Sequence, residues 1–304
     1  MKGQLGFVGL GIMGGAMARN VAAAGWDVFG YDPDADRRAQ AEAAGVTLVA
    51  DAAEVARRAP LIVTSLPSPA AALATAEAIA GSGAEPRIVA EASTLALEDK
   101  LAFAKVLEAA GHRPLDCPLS GTGAQCERKD VVVYASGERA AIEAARPAFA
   151  DFTRVLHDLG AYGNGTRMKF VANLLVAIHN VASAEAMVLG MKAGLDPHQI
   201  VELIGSGVGT SKVLDLRAPL MADDRYEPPT MKVAIWQKDM AVIGKFAAEL
   251  GVETPTFSAC GPVYDAAMKA GLGPMDTAAV CRVIAERSGL ERQASERQAP
   301  EDRA

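Results

Sequence analysis

Two polar side chains stand near the start of a long apolar segment in the second half of the sequence. Lys169 and Asn173 are four residues apart, which places them on one face of a predicted helix. The residues from 171 to 193 are small and mostly apolar, as expected for a buried helix. A lysine in such a place can exchange a proton with a bound molecule, or it can reach solvent from an ordinary core helix. This segment alone leaves both interpretations open.

A second asparagine lies on the same predicted face. At about 100° per residue, Asn180 falls in line with Lys169 and Asn173. Buried amides need hydrogen-bond partners. Two asparagines in line with a lysine therefore favour a polar site, with Asn180 as a secondary candidate for its wall.

A glycine-rich turn near the N-terminus has the spacing of a phosphate-binding loop. Gly9, Gly11 and Gly14 form GxGxxG between an apolar strand and a helix predicted over 12–24. Gly9 permits the tight turn, Gly11 lets the backbone approach a pyrophosphate, and Gly14 lets the helix pack on the strand. The N-terminus of the helix would then hold the phosphates of a dinucleotide.

The next predicted strand ends in a carboxylate. The strand covers Asp27 to Tyr31, and Asp32 follows it, eighteen residues after Gly14. A carboxylate there accepts hydrogen bonds from both ribose hydroxyls and repels a 2′-phosphate, which favours NAD over NADP. Arg37 and Arg38 are near enough to hold a phosphate, so NADP is not excluded.

Two later strands end in loops at the edge where doubly wound sheets bind their ligands. Leu66 and Pro67 follow the first, and Ser93 and Thr94 follow the second. The second pair could contact a ligand or could cap the acidic helix that begins near Glu98.

A further strand is predicted to end in Ser120, Gly121, Thr122 and Gly123. The unpaired backbone N–H groups and hydroxyls of such a loop suit a carboxylate, although a plain glycine turn has the same composition.

In the second half of the chain, Lys238 precedes an aspartate on a predicted helix. It could direct a cation at a cofactor or substrate, or form a surface ion pair, which the local pattern favours.

The order of the predicted elements indicates two domains and a tail. Strands and helices alternate over 1–162, which predicts an NAD(P)-binding Rossmann domain with a doubly wound, mostly parallel sheet. The strand pattern then disappears, and 163–287 is predicted to be an all-α substrate and oligomerisation domain opened by a long inter-domain helix. Residues 288–304 form a polar tail. The fold class is α/β followed by all-α, with an inter-domain cleft that is a usual place for an active site.

Composition limits the partners and the location. The net charge of −7 argues against nucleic acid. The four cysteines form no CxxC pair, which argues against a metal site and favours reduced thiols. No signal peptide and no stretch of about 20 uninterrupted apolar residues is recognised. These features predict a cytoplasmic protein without a membrane partner.

Taken together, these motifs resemble the β-hydroxyacid dehydrogenase family, whose members include 3-hydroxyisobutyrate dehydrogenases and tartronate semialdehyde reductases. The resemblance covers residues 3 to about 285. Its motifs, in chain order, are Gly6-Phe7-Val8-Gly9-Leu10-Gly11-Ile12-Met13-Gly14, Leu66-Pro67, Ser93-Thr94, Asp116-Cys117-Pro118-Leu119-Ser120-Gly121, Gly163-x-Gly165-x-x-x-Lys169-x-x-x-Asn173, Ala184-Glu185-Ala186 and Lys238-Asp239.

The resemblance implies an NAD(P)-dependent oxidoreductase that transfers a hydride between a nicotinamide cofactor and a small 3-hydroxy acid. Lys169 would be the general acid/base and Asn173 its companion amide. The substrate carboxylate would lie against Ser120, Gly121 and Thr122, and the helical half would form a homodimer or homotetramer. The residues expected at the cofactor are Gly9, Gly11, Ile12, Met13, Gly14, Asp32, Leu66, Pro67, Thr94 and Lys238.

One departure from the family pattern concerns the substrate. The family usually has a second glycine where this chain has Thr122, which leads us to the hypothesis of a more hydroxylated substrate, such as threonate, over 3-hydroxyisobutyrate. Two other functions remain as alternatives: an imine reductase of the same superfamily, and a catalytically silent NAD-binding protein. Relatives of both kinds usually lack the lysine, so Lys169 favours the dehydrogenase.

Overall fold

The structure is a computed structural model that describes residues 2–290. Two compact units meet at the bond between Val171 and Ala172, inside one long helix. Of the predicted polar tail, 288–304, residues 291–304 lie outside the described part of the chain.

The first unit is built on a nine-stranded, mostly parallel sheet. Six strands have the order β3-β2-β1-β4-β5-β6 and are all parallel, while β8 runs antiparallel to β6 and β7 and parallel to β9. This order is that of a dinucleotide-binding Rossmann sheet, which confirms the predicted fold class of this half. The strands are β1 (Gln4–Val8), β2 (Asp27–Tyr31), β3 (Thr47–Leu48), β4 (Leu61–Thr64), β5 (Ile88–Glu91), β6 (Arg113–Asp116), β7 (Leu119–Ser120), β8 (Val132–Gly137) and β9 (Val155–Asp158).

Helices cover both faces of this sheet. Leu5 and Phe7 of β1 belong to the hydrophobic core on one face, and Val8 belongs to the core on the other. The central strands are apolar on both sides because each face packs against helices. The helices of this unit are α1 (Ile12–Ala23), α2 (Ala35–Ala43), α3 (Ala52–Arg58), α4 (Pro69–Ala80), α5 (Leu97–Ala109), α6 (Gly123–Glu127) and α7 (Arg139–Ala150).

The strand predicted to run into Ser120 is interrupted. β6 ends at Asp116 and β7 begins at Leu119, with Pro118 between them. Proline has no N–H to donate to a sheet. The chain therefore leaves the parallel sheet at this point and pairs again, antiparallel, with β8.

The second unit is helical, as predicted. A short 3₁₀ turn, Thr277–Ala279, precedes the last helix within residues 2–290. Its helices are the end of α8 (Asn164–Lys192), then α9 (Pro197–Gly205), α10 (Lys212–Ala222), α11 (Val233–Glu249), α12 (Pro255–Lys269) and α13 (Val280–Arg287).

A buried ion pair fixes the packing of this helical unit. Both carboxylate oxygens of Asp276 lie 2.7 Å from the Nη1 of Arg217 on α10. The same carboxylate accepts hydrogen bonds from the backbone N–H groups of Thr230 and Ala278. Asp276 thereby joins α10 to the segment before α11 and to the turn before α13.

Helix α8 has the length and composition of a membrane span, and no other helix among residues 2–290 does. Core helices of globular proteins meet the same criterion. This helix carries the buried polar side chains of Lys169, Asn173 and Asn180.

Candidate active site

The glycine turn between β1 and α1 has two closed positions and one open position. A Cβ added to Gly9 would lie 2.2 Å from the carbonyl oxygen of Ser65, and one added to Gly14 would lie 1.9 Å from that of Gly9. Gly9 also has a φ of +88°, which favours glycine. By contrast, a Cβ at Gly11 would meet no atom of the described residues within 4 Å. The turn is tightly packed except at Gly11, where a pyrophosphate could approach the protein backbone.

The start of α1 fits a phosphate group. Gly11 is its N-cap, and within residues 2–290 no side chain caps it and no acidic residue occupies its first turn. Ile12 is exposed and Met13 is half-buried at this end. The first N–H groups of a helix have no partner inside the helix, and the helix dipole makes this end positive. The residues present therefore fit the pyrophosphate of a dinucleotide.

Asp32 is held beside this turn by backbone donors. It is 9% exposed; its Oδ2 accepts a hydrogen bond from the N–H of Leu10 at 2.7 Å, and its Oδ1 accepts one from the N–H of Asp34 at 2.8 Å. Each carboxylate oxygen keeps a second lone pair, which a ribose hydroxyl can use. Arg38 donates from its Nη1 to the carbonyl oxygens of Asp32 and Pro33, so this guanidinium stabilises the turn after β2.

The loops after β4 and β5 are joined through Ser93. Its Oγ accepts a hydrogen bond from the N–H of Leu66 at 2.7 Å, and its own N–H donates to the Oε1 of Glu91 at 2.9 Å. Thr94 is half-buried. Helix α5 has Ala96 as its N-cap without a side-chain cap, so neither hydroxyl caps that helix. Ser93 instead fixes the loop that contains Leu66 and the exposed Pro67.

The predicted carboxylate loop follows β7. Gly121 has a φ of +144°, and a Cβ there would lie 2.7 Å from Val131 Cγ1. Thr122 is the N-cap of α6 and forms a capping box with Gln125. The N–H of Thr122 donates to Gln125 Oε1 at 3.0 Å, and its Oγ1 accepts from the N–H of Gln125 at 3.4 Å. The spacing Thr-x-x-Gln is the sequence signal that predicts this cap.

The carboxylate loop packs against the nucleotide turn. A Cβ at Gly123 would lie 2.3 Å from Ile12 Cγ2. Asn20 of α1 donates from its Nδ2 to the carbonyl oxygen of Cys126 on α6 at 2.7 Å. The structure therefore brings together two predicted sites that are over 100 residues apart in sequence.

Lys169 lies on α8, one turn after a first turn that is anchored to the sheet. Its side chain is buried, with 8% exposure. The N–H of Thr166 donates to Asp116 Oδ2 at 2.7 Å, and the Thr166 hydroxyl donates to Asp116 Oδ1 at 2.8 Å. The N–H of Gly165 donates to Ser136 Oγ at 2.9 Å. Side chains of β6 and β8 thus fix the start of the helix.

The Asp116 carboxylate belongs to a buried charge cluster that sequence reasoning missed. Lys100 of α5 forms an ion pair with Glu91, and its Nζ lies 3.1 Å from Asp116 Oδ1. All three side chains are completely buried. Burial acts to lower the pKa of Lys100, but its attraction to Glu91 and Asp116 outweighs burial and raises that pKa above its ordinary value. Lys100 therefore stays charged in the folded protein.

The predicted site residues of the helical unit differ in burial: Asn173 and Asn180 are buried, whereas the side chain of Lys238 is exposed. Asn173 is 4% exposed and donates from its Nδ2 to Asp239 Oδ2 at 3.1 Å. The side chain of Lys238 is 41% exposed, with its Nζ 3.7 Å from Asp239 Oδ1. Asn180 donates to the hydroxyl of Tyr264 and to a backbone carbonyl, both at 2.9 Å. The Asn180 amide therefore holds helices of this unit together.

Two family models together match nearly all of the described residues. Residues 4–162 match the family model of the NAD binding domain of 6-phosphogluconate dehydrogenase. Residues 163–284 match the family model described as NAD-binding of NADP-dependent 3-hydroxyisobutyrate dehydrogenase.

Individual relatives agree with these matches. Glyoxylate/succinic semialdehyde reductase 1 of Arabidopsis thaliana is 28% identical over 92% of this chain and 98% of its own. The L-threonate dehydrogenase of Cupriavidus necator is 29% identical over 93% and 97%. The solved structure of 3-hydroxyisobutyrate dehydrogenase from Mycobacterium tuberculosis, with L-serine, superposes with a TM-score of 0.84 at 26% identity, over 92% of this chain and 98% of that one.

Imine reductases share the fold at greater distance, with 17% identity and a TM-score of 0.60 for the Bacillus cereus enzyme, which shows the fold alone. The matches to both halves and the hydroxyacid dehydrogenases among the relatives agree with the family that the sequence motifs indicate. The chain belongs to the β-hydroxyacid dehydrogenase family of NAD(P)-dependent oxidoreductases that act on CH-OH groups.

Proposed function

We propose that this enzyme oxidises a small 3-hydroxy acid with Lys169 as the general base, and that Lys169 is the general acid in the reverse direction. The observation that carries the proposal is the burial of Lys169 on a helix whose first turn is fixed by Asp116. A buried amine at a fixed position suits proton transfer, because the proton donor and acceptor must stay within hydrogen-bond reach.

The proton and the hydride leave the alcohol as the carbonyl forms. When bound, the nicotinamide ring supplies the hydride acceptor, or the donor in reduction. The neutral Nζ of Lys169 accepts the hydroxyl proton, and the ammonium returns it in reduction. Asn173, one helical turn further on, orients the hydroxyl. The hydrogen bond from Asn173 to Asp239 supports this role, because it fixes the direction of the amide.

Ser120 and Gly121 are proposed to hold the substrate carboxylate. The hydroxyl of Ser120 and the N–H of Gly121 are suitable donors. Thr122 already uses its N–H and its hydroxyl in the capping box with Gln125. We therefore propose that Thr122 affects substrate choice by fixing the shape of this loop, and that a sugar acid of the threonate type is preferred over 3-hydroxyisobutyrate. The 29% identity to an L-threonate dehydrogenase supports this preference.

The cofactor preference and the assembly are further parts of the proposal. Asp32, with its two backbone donors, supports NAD as the preferred cofactor. Leu66, Pro67, Thr94 and Lys238 are proposed to contact the cofactor.

We also propose a cytoplasmic homodimer or homotetramer assembled through the helical unit, where large apolar side chains are exposed, such as Leu189, Leu203 and Ile235. Light scattering of the purified protein tests the assembly.

A substrate screen tests the catalytic role. L-Threonate, 3-hydroxyisobutyrate and L-serine are offered with NAD and NADP, and glyoxylate and succinic semialdehyde with NADH and NADPH. Lys169→Ala is expected to lose at least about a hundredfold in kcat while it still binds NADH. Arg167→Ala, an exposed neighbour on the same helix, is the matched control and keeps the wild-type rate. Full activity of Lys169→Ala overturns the mechanism. NADH binding without turnover of any compound favours a silent NAD-binding protein.

A second variant tests the substrate preference. Thr122→Gly is compared with wild type for kcat/KM on L-threonate and 3-hydroxyisobutyrate. We expect the ratio to shift toward 3-hydroxyisobutyrate, because the loop loses its cap. An unchanged ratio would contradict the role of Thr122.

A further inference from the structure

The first turn of α8 is fixed by side chains that come from elsewhere in the first unit. Gly165 and Thr166 donate their N–H groups to Ser136 of β8 and to Asp116 of β6. The Thr166 hydroxyl makes a second hydrogen bond to Asp116. A Cβ at Gly165 would lie 2.3 Å from the carbonyl oxygen of Tyr134, so the turn also packs directly on the sheet. The position of this turn is set by the ends of β6 and β8.

The charges of the buried cluster balance only with the helix included. Glu91 and Asp116 are two carboxylates, and Lys100 is one ammonium, all without solvent exposure. These three side chains therefore carry one more negative charge than positive. Asp116 lies at the N-terminus of a 29-residue helix, where the helix dipole and the Thr166 donors favour a negative charge. The excess charge therefore draws the helix start to Asp116.

The same cluster reaches the loop proposed to contact the cofactor. Glu91 ion-pairs with Lys100 through Oε2 and accepts the N–H of Ser93 through Oε1. Ser93 in turn accepts the N–H of Leu66. A continuous path of polar contacts thus joins the loop of Leu66 to the start of α8.

We propose that Asp116, held in place by Lys100 and Glu91, positions Lys169 by fixing the first turn of α8 through Thr166. Lys169 follows Thr166 by three residues, about 4.5 Å along the helix axis, so it moves with that turn. The inference rests on the proposed role of Lys169 as the general acid/base. Asp116, Lys100 and Thr166 act through Lys169, which makes them positioning residues.

A purely stabilising role accounts less well for the cluster. Burying charges costs solvation energy, and apolar residues of similar volume often stabilise a fold equally well or better. Fixing one helix start relative to a loop requires directed hydrogen bonds, and Asp116 makes two of them to Thr166.

The test compares Thr166→Val with Thr166→Ser. Valine has a similar shape but no hydroxyl to donate to Asp116, whereas serine keeps the donor. With the acid of the screen that has the highest kcat/KM, Thr166→Val is expected to lose about tenfold in kcat, because small misplacements of a reacting group are costly. Thr166→Ser is expected to restore the rate to within about twofold of wild type. The dissociation constant of NADH stays within about twofold in both variants, since the loop of Leu66 is unchanged.

The same substitution in a Lys169→Ala background separates positioning from general stabilisation. If Thr166 acts through Lys169, Thr166→Val lowers the residual rate of Lys169→Ala by less than about twofold. An equal loss in both backgrounds, or no loss in either, overturns the inference. A wild-type rate for Lys169→Ala refutes the proposed function instead, so the two failures are distinguishable.

A second variant keeps the test decisive if Thr166→Val does not fold. Glu91→Gln with Lys100→Met removes one charge of each sign and leaves Asp116 with its donors from Thr166. Amide hydrogen exchange of residues 164–170 is expected to be faster in this variant, with a loss in kcat that is again absent in the Lys169→Ala background. Wild-type exchange together with wild-type kcat overturns the inference.

Discussion

The glycine turn predicts opposite effects for the same added methyl group at two positions. At Gly11 the φ is −63°, which alanine adopts readily, and a Cβ would meet no atom of the described chain within 4 Å. At Gly14 a Cβ would lie 1.9 Å from the carbonyl oxygen of Gly9 and 3.2 Å from the Cβ of Ser65. Gly11→Ala should therefore spare the fold and impair the cofactor site, while Gly14→Ala should damage the fold itself.

The magnitudes follow from these distances. Alanine is a poorer N-cap than glycine by up to about 1 kcal/mol, but it also lowers the entropy of the unfolded chain, which returns about 0.4–1 kcal/mol. The free energy of unfolding of Gly11→Ala should stay within about 1 kcal/mol of wild type. A methyl group where the pyrophosphate would approach should weaken NADH binding at least about tenfold, or about 1.4 kcal/mol. For Gly14→Ala the backbone must move, with an expected loss of stability of about 1–3 kcal/mol or more.

Two measurements on each variant decide the prediction. Urea unfolding followed by circular dichroism gives the free energy of unfolding, and titration of NADH fluorescence gives the dissociation constant. Wild-type affinity of Gly11→Ala for NADH would refute the assignment of this turn to the cofactor. Equal destabilisation of both variants would refute the packing argument.

Two further predictions concern stability. His112 is buried, and its Nδ1 accepts a hydrogen bond from the N–H of Arg87 at 3.0 Å. Burial lowers the pKa of His112 below the ordinary value of 6.5, so the unfolded chain binds a proton at a higher pH than the folded protein does. The free energy of unfolding therefore falls as the pH drops below about 6.5, by at most about 1.4 kcal/mol per pH unit. His112→Asn keeps an acceptor but cannot titrate, so its stability deficit relative to wild type should shrink between pH 7.5 and pH 5.5 in urea unfolding, and a constant deficit would contradict this account. Arg217→Met leaves Asp276 as a buried, unpaired carboxylate and should cost about 3–5 kcal/mol of unfolding free energy. The exposed control Arg225→Met should cost less than about 0.5 kcal/mol, and a loss under about 1 kcal/mol for Arg217→Met would refute the role of the pair.

Features with a local sequence signal were predicted well. The start of α9 (Pro197–Gly205) in the predicted all-α domain has such a signal, because Asp196 is its N-cap and Pro197 occupies the first helical position. The helix predicted to begin at Ile12 begins there, since glycines precede it and the apolar pattern continues. The two-residue strand Thr47–Leu48 was not predicted, because two residues are too few to show a period.

The buried cluster had no such signal. Glu91, Lys100, Asp116 and Thr166 are separated by 9, 16 and 50 residues, and only the sheet order brings them together. In sequence, Lys100 has the appearance of an exposed lysine on an acidic helix. Its burial depends on the packing of α5 against the sheet, which no pattern within α5 predicts.

The two buried lysines of the first unit show why residue type alone does not assign the chemistry. Lys100 has no solvent exposure and lies between two carboxylates, which raise its pKa against the effect of burial. It is a fixed positive charge and cannot give up its proton at neutral pH, so it is excluded as a general base. Lys169 keeps 8% exposure on the next turn after Thr166. The amine therefore serves one purpose at Lys100, which holds the carboxylate that anchors α8, and we propose another for Lys169, which α8 carries as the general acid/base.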